Sequence, residues 1–449
     1  MLRRMDWSKY AELSAEWTEK TLAYAGGINA FVARGIASGW DDAGEAPDDE
    51  RDEALGDRVV EIVREANAEG AWRELRQHFP PAHAPFAEKL DARATPLRSV
   101  YFVGEGRVVA THGTAWQRGG VSVYGFDGQN EEVPGVLDVA ASPDRRFFAR
   151  LTAEHLVITD GWDGDDVAQV PRPRGDEGAP AGTETLAEDE LACIEHMAVL
   201  PNGSGVALAT NRGIFLSTSD GVRRLSPDTA TLEQSVLAWS ASSDEEEHGP
   251  YPLRTDMSHV AVHPSGEWIA CGYQDSQHEL RTVDGILVGE FGPLHSEYPH
   301  HAAFSPDGTR AIFNSCHFYN GVTSIGRVDE LHTLRLGTYE EDMRLLPLES
   351  GARVYNSSFH EGMFLLGDAY GYIRAAKLNG DLGWQHFTGS SIGGVDVSPD
   401  GKQLAISTHA GFLSLLELSD EAQPYQIGNG PFVEQLRYVR WNDEALWRW

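Results

Sequence analysis

Two rhythms of apolar and polar residues divide the chain. Near the N-terminus, Trp7, Tyr10, Leu13, Trp17, Tyr24, Ile28 and Phe31 stand three, four or seven positions apart. That spacing places them on one face of a helix, or of two helices meeting at Gly26-Gly27. A second helix is expected from Glu53 to Glu69, with Leu55, Val59, Ile62, Val63 and Ala66 on its buried side. Trp72, Leu75 and Phe79 continue the pattern until Pro80-Pro81 stop it. A short helix is expected from Phe86 to Leu90. The segment 41–53, DDAGEAPDDERDE, has Pro and Gly but no large apolar residue. It is expected to be an acidic linker.

From Leu97 onward the rhythm changes to short apolar runs broken by Gly, Asp, Asn and Pro. One unit recurs. AAFSPDGTRAIFN, starting at Ala302, is matched by VDVSPDGKQLAIS at Val395, VAVHPSGEWIACG at Val260, VAASPDRRFFARL at Val139 and MAVLPNGSGVALA at Met197. Its chemistry is that of a β-hairpin. Pro fixes φ at the first turn position, Asp, Asn or Ser accepts a local hydrogen bond, and Gly closes the turn. The flanking runs are apolar on both faces, as in strands covered by neighbours on both sides. Three weaker copies lie near Phe102, near Phe359 and in RYVRWNDEALWRW at the C-terminus. Neighbouring units are then separated by about 40 to 60 residues, the period of a four-stranded blade. The longer intervals hold polar, acidic insertions, DGDDVAQVPRPRGDEGAPAGTETLAEDE and ASSDEEEHGPYP.

Over 97–449 the chain resembles the WD-repeat-like β-propeller superfamily through its FSPDG-type hairpins. Trp-Asp at the end of the third strands and the Gly-His before each blade are missing, so no functional residue carries over from that resemblance. The expected fold is mainly β: a propeller of seven blades, with eight as the alternative, preceded by a small α-helical domain over 1–95. The ring is expected to close by pairing Leu436–Trp449 with strands of the 97–130 region.

Charge narrows the partner classes. Lys and Arg total 36 against 69 Asp and Glu, a net charge of −33. Such a surface repels phosphate backbones and anionic membranes, so nucleic acid is disfavoured and protein partners with basic surfaces are favoured. Arg far outnumbers Lys, which with the acidity suits a GC-rich or salt-adapted prokaryote. Cys193, Cys271 and Cys316 are scattered and odd in number, which argues against a disulfide framework. The N-terminal stretch carries no signal-peptide pattern, and no apolar run reaches the length of a membrane span. The expectation is a cytoplasmic protein.

Candidate chemistry collects five residues before each hairpin proline. There stand Asp138, His196, His259, His301 and Gly394, and in the weaker copies Ser99, Asn356 and Tyr438. On the first strand of each blade these would ring the channel mouth. Three imidazoles and a carboxylate could hold a divalent metal such as zinc, giving a metal-dependent hydrolase or lyase. The alternative is that these residues cap strands. His295, His300 and His317 add to a His-rich region. Gly389–Gly393 fits G-x-S-x-G, but no α/β domain surrounds it to form a nucleophile elbow. Asp160, Asp163, Asp165 and Asp166 lack the ligand spacing of a calcium loop.

The leading expectation is a non-catalytic interaction scaffold without a cofactor. By analogy with how propellers are used, it would be a subunit of a prokaryotic hetero-complex, such as one holding an ATPase or a defence effector. The aromatic stripe Trp7, Tyr10, Trp17, Tyr24 and Phe31 either packs on the rest of the protein or receives a partner.

Overall fold

The computed structural model describes residues 5–82, 93–188, 190–241, 249–292, 294, 296–338 and 340–449. The expected helix over 86–90 and His295 lie outside them. Seven sheets, antiparallel apart from one parallel fifth strand in blade 4, follow one another along the chain as the blades of a β-propeller. Blades 1 to 3 span 97–132, 138–171 and 194–226, and blades 5 and 6 span 298–350 and 354–387. Blade 4 begins at 259 and gains a fifth strand from Arg335–Leu336, and blade 7 spans 392–448.

The recurring turn forms as its residues dictate. In blade 5, Ser305 N–H donates to Arg310 O at 2.9 Å, and Gly308 N–H to Ser305 O at 2.8 Å. Ser305 Oγ donates to Asp307 Oδ1 at 2.6 Å, and Gly308 takes φ +69°. Blade 7 repeats the set, with Ser398 Oγ on Asp400 at 2.7 Å and Gly401 at φ +74°. Each turn joins the innermost strand of a blade to the second strand. Apolar residues on both faces of these strands then pack between blades. All seven blade-to-blade seams, blade 7 to blade 1 included, hold their own buried apolar cluster.

Ring closure corrects the expectation. Blade 1 is complete from 97–132 alone. The C-terminal copy is not an inner hairpin. Phe432–Val439 is the fourth strand of blade 7, paired with Phe412–Leu418, and Trp447–Arg448 pairs beyond it. All four strands of blade 1 come from its own segment. The seam closes instead by packing Leu97, Val100, Phe102 and Tyr124 on Ala405, Leu413, Leu415 and Tyr438. A short bridge between Ala94 and Trp441 supplements it.

The N-terminal helices lie on blade 7. α1 (Ala11–Ser38) runs through Gly26-Gly27 as one helix, and Gly39 at φ +92° ends it. α2 (Glu53–Ala68) is capped by Asp52, which accepts from Leu55 N–H at 2.7 Å. α3 (Trp72–His78) follows. Leu13, Trp17, Val59, Leu75 and Phe79 form one core with Phe412, Val439, Trp441, Trp447 and Trp449 of blade 7. Polar pairs fix the contact. Asn29 donates to Gln426 O and accepts from Gly428 N–H, both at 2.8 Å. Arg76 donates to Glu434 Oε1 at 3.0 Å.

No helix among the described residues is long and apolar enough to cross a membrane. A helix over Thr229–Ala241, which the sequence reading does not anticipate, sits in the connection from blade 3 to blade 4.

Candidate functional site

Antiparallel alternation fixes which loops share a face. The proline-bearing turns open on one face of the disc, here called lower. The starts of the innermost strands, the turns between second and third strands, and the connections between blades all open on the upper face. The described parts of the two longest blade connections, 172–188 with 190–193 and 227–241 with 249–258, both lie there and pack together. Tyr251 N–H donates to Gly182 O and Glu184 N–H to Tyr251 O, each at 2.8 Å. The lower half of the channel is a cavity of about 820 Å³ touched by all seven blades, with Tyr101, Arg145, His301, Asn356 and Asp396 among its lining.

Ser99, Asp138, His196, His259, His301, Asn356 and Gly394 all lie on innermost strands. Tyr438 does not: it is on the fourth strand of blade 7 and donates to Gly125 O at 2.7 Å. Three of these ring residues, Asp138, His301 and Asn356, staple neighbouring blades. Asp138 Oδ2 accepts from Arg98 at 2.8 Å, and its Oδ1 from Thr111 Oγ1 at 2.9 Å. His301 Nε2 bonds Ser357 Oγ at 2.8 Å. Asn356 Oδ1 accepts from Val395 N–H at 3.1 Å. Glu195, beside His196, accepts from Ser258 N–H at 2.9 Å. Hydrogen bonds to buried strand ends satisfy groups that would otherwise be left bare between blades.

Of the four proposed metal ligands, His196, His259 and His301 act on one another electrostatically. Asp138 is committed to Arg98, Arg118 and Thr111. His259 packs edge-on against His278, with ring centroids 5.4 Å apart. Both His259 nitrogens are buried without a hydrogen-bond partner among the described residues. No group of three or more His, Cys, Asp or Glu side chains among the described residues is arranged to hold a metal ion.

Enclosure sets the charge state of this layer. Burial, then the neighbouring His278, holds His259 well below the usual imidazole range. Burial, then Arg353, does the same to His300. His196 is open to solvent inside the channel, yet protein surrounds it. That enclosure, with Arg98 second, brings it to about 4. Burial pushes Glu195 up to about 7. Desolvation disfavours whichever form is charged, which accounts for both directions.

The five aromatics of the N-terminal stripe contact other residues of the helical segment, and Trp17 alone among them is fully buried. Trp17 is fully buried and donates from Nε1 to Pro80 O at 2.9 Å. Trp7 stacks on His78 at 4.5 Å and bonds Glu74 at 2.8 Å. Tyr10 donates to Glu65 at 2.8 Å. Tyr24 lies under Arg51 at 4.9 Å, and Phe31 meets Trp40 at 5.9 Å. In the G-x-S-x-G match, Ser391 Oγ donates to Ala369 O at 2.7 Å in the link between blades 6 and 7.

The sequence reading missed the exposed features of the upper face. Phe318 and Tyr319 form the turn between the second and third strands of blade 5, and Tyr370 the matching turn of blade 6. They are 73%, 58% and 44% exposed, unusual for large aromatics. Tyr319 and Tyr370 lie 6.1 Å apart, and Tyr370 OH donates to Asn320 Oδ1 at 2.7 Å. Arg353 N–H donates to Tyr319 O at 2.8 Å, which joins this patch to the channel mouth. A signal was present: HFYNG puts two aromatics where a turn calls for polar residues. The chain matches no protein-family model and no curated protein by sequence.

Proposed function

We propose that the protein is a non-catalytic interaction scaffold, a subunit of a multi-protein complex that binds its partner on the upper face. The observation that carries this reading is the aromatic patch Phe318, Tyr319 and Tyr370. It stands exposed on a face where the described parts of the two longest blade connections also lie. Rigid aromatics at a turn present contact area at little entropic cost, and such residues dominate binding energy at interfaces. The acidity of the chain favours a basic partner surface around this patch. The setting this reading supports is a prokaryotic hetero-complex.

The test is affinity capture of the full chain from its own cells, against a Phe318→Ala, Tyr319→Ala, Tyr370→Ala variant with unchanged circular dichroism and melting temperature. Retention of a defined partner by the native chain and its loss in the variant supports the reading. The same partners on both, or none on either, defeats it.

A further inference from the structure

The upper mouth of the channel gathers cations in a chain of −33 net charge. Arg98 from blade 1, Arg118 from blade 1 and Arg353 at the entry to blade 6 all reach it. Three carboxylates lie around them: Asp138, Glu195 and Asp256, which acts on Glu195. Asp138 pairs with Arg98 and Arg118, and Glu195 is held by Ser258 N–H. None of these carboxylates pairs with Arg353.

Arg98 and Arg118 have bracing roles. Arg98 donates to Gly113 O at 3.0 Å, and Arg118 to Ile194 O. Arg353 does not fit that description. Its side chain makes no hydrogen bond to a carboxylate or carbonyl among the described residues. Its Nε and Nη2 both point to His300 Nε2, at 3.0 and 2.7 Å. Because Nε2 accepts there, the His300 proton sits on Nδ1 and goes to Val354 O at 2.8 Å. The imidazole is therefore neutral and orients the guanidinium without cancelling its charge. Tyr355 supports Arg353 from below at 4.7 Å, and His409 of blade 7 packs on Tyr355 at 5.2 Å. The charges of Arg98 and Arg353 both act on His196 of blade 3 and on His409. By contact, residues of blades 5, 6 and 7 meet at this point of the mouth.

A fixed, uncancelled guanidinium at a channel mouth is a receptor for an oxyanion. Planar donors match carboxylate and phosphate oxygens, and a walled channel strengthens the attraction. We propose that the upper channel mouth binds one oxyanion, a carboxylate or a phosphate, with Arg353 as the donor. This goes beyond the scaffold reading and stands whether or not a protein binds the aromatic patch.

Calorimetric titration of the full chain with sodium phosphate and, separately, sodium acetate at constant ionic strength tests it. Saturable binding of one anion per chain is expected for at least one probe, weakened about tenfold or more by Arg353→Gln. Arg327→Gln, which removes a surface arginine paired with Asp329, is expected to bind as the native chain does. In the native chain, the bound anion is expected to slow phenylglyoxal modification of Arg353, read by peptide mass spectrometry. This second readout decides the matter if Arg353→Gln does not fold. Absence of saturable binding for both probes overturns the proposal. So does binding that neither protects Arg353 nor responds to its substitution. A chain that binds phosphate but captures no partner defeats the scaffold reading alone.

Discussion

Arg145 Nη2 donates to Asp396 Oδ1 at 2.6 Å across 251 positions of sequence. Asp396 Oδ2 accepts from Phe102 N–H at 2.8 Å. One buried carboxylate thus ties blade 7 to blades 1 and 2, at the point where the ring closes. The pair also explains a departure in the repeated turn. Blade 2 reads SPDR where blades 5 and 7 read SPDG, and Arg145 takes φ +60° in the glycine position. That conformation costs a non-glycine residue about 1 kcal/mol.

Asp396→Asn is expected to lower stability by about 2–4 kcal/mol, since it leaves the Arg145 charge unmatched at a largely buried site. Arg145→Gly should cost less, because it removes the pair but relieves the turn. The double variant should be less damaging than the sum of the two. Urea unfolding of the four proteins measures this. Additive losses would remove the proposed coupling.

Gly393→Ala tests the seam by shape. A Cβ at Gly393 would meet Leu97 O at 1.9 Å, a backbone atom of blade 1 that cannot swing aside. Gly104 has nothing within 4 Å of its added Cβ. Gly393→Ala is expected to cost about 2–3 kcal/mol and Gly104→Ala within about 0.5 kcal/mol. Equal melting temperatures for the two would show that the seam can yield.

Trp17→Ala should cost about 3–5 kcal/mol, through the cavity left in the core shared with blade 7. Asn29→Ala removes both hydrogen bonds to 426–428. It is expected to raise hydrogen exchange in α1 while leaving the blades protected. Unchanged exchange in α1 would mean that the apolar contact alone holds the helix.

Acidification should destabilise the protein between pH 6.5 and 4. Burial brings His112 and His278 to about 3 and His386 to about 4. All three are neutral in the native state, and the unfolded chain takes up their protons below about 6.5. Stability from these groups is therefore complete above pH 6.5 and is lost as pH falls, by up to about 1.4 kcal/mol per unit for each. Glu195, raised to about 7, works in the opposite sense. So do Glu349 and Asp368, which burial also raises. Urea midpoints from pH 7 to 4 should fall, and His278→Gln should flatten the slope. A slope unchanged by that substitution would remove His278 from the account.

How far the sequence could be read follows from the range of the interactions involved. The hairpin Ala302–Asn314 was legible because proline, a short polar side chain and glycine set a turn within six residues, Ser305 to Arg310. The positions five before each proline fell on innermost strands for the same local reason. Their pairing did not follow. Asp138 serves Arg98, and His301 serves Ser357, through contacts 40 and 56 residues apart that no spacing encodes. The aromatic face of α1 was visible as periodicity, but only packing assigned it to blade 7. Arg353 gave no signal at all, because an arginine's role depends on what fails to neutralise it.

By itself the sequence determined a propeller of repeated hairpins behind a helical segment, because backbone turns and the burial of two-faced apolar strands are decided within one blade. The tertiary structure alone decided how the ring closes, where the helices dock and which charges meet at the channel mouth. Those depend on side chains brought together from opposite ends of the chain, such as Ser407 Oγ on Arg98 O at 2.6 Å over 309 residues. Such contacts exist only once all seven blades have fixed the radius of the ring.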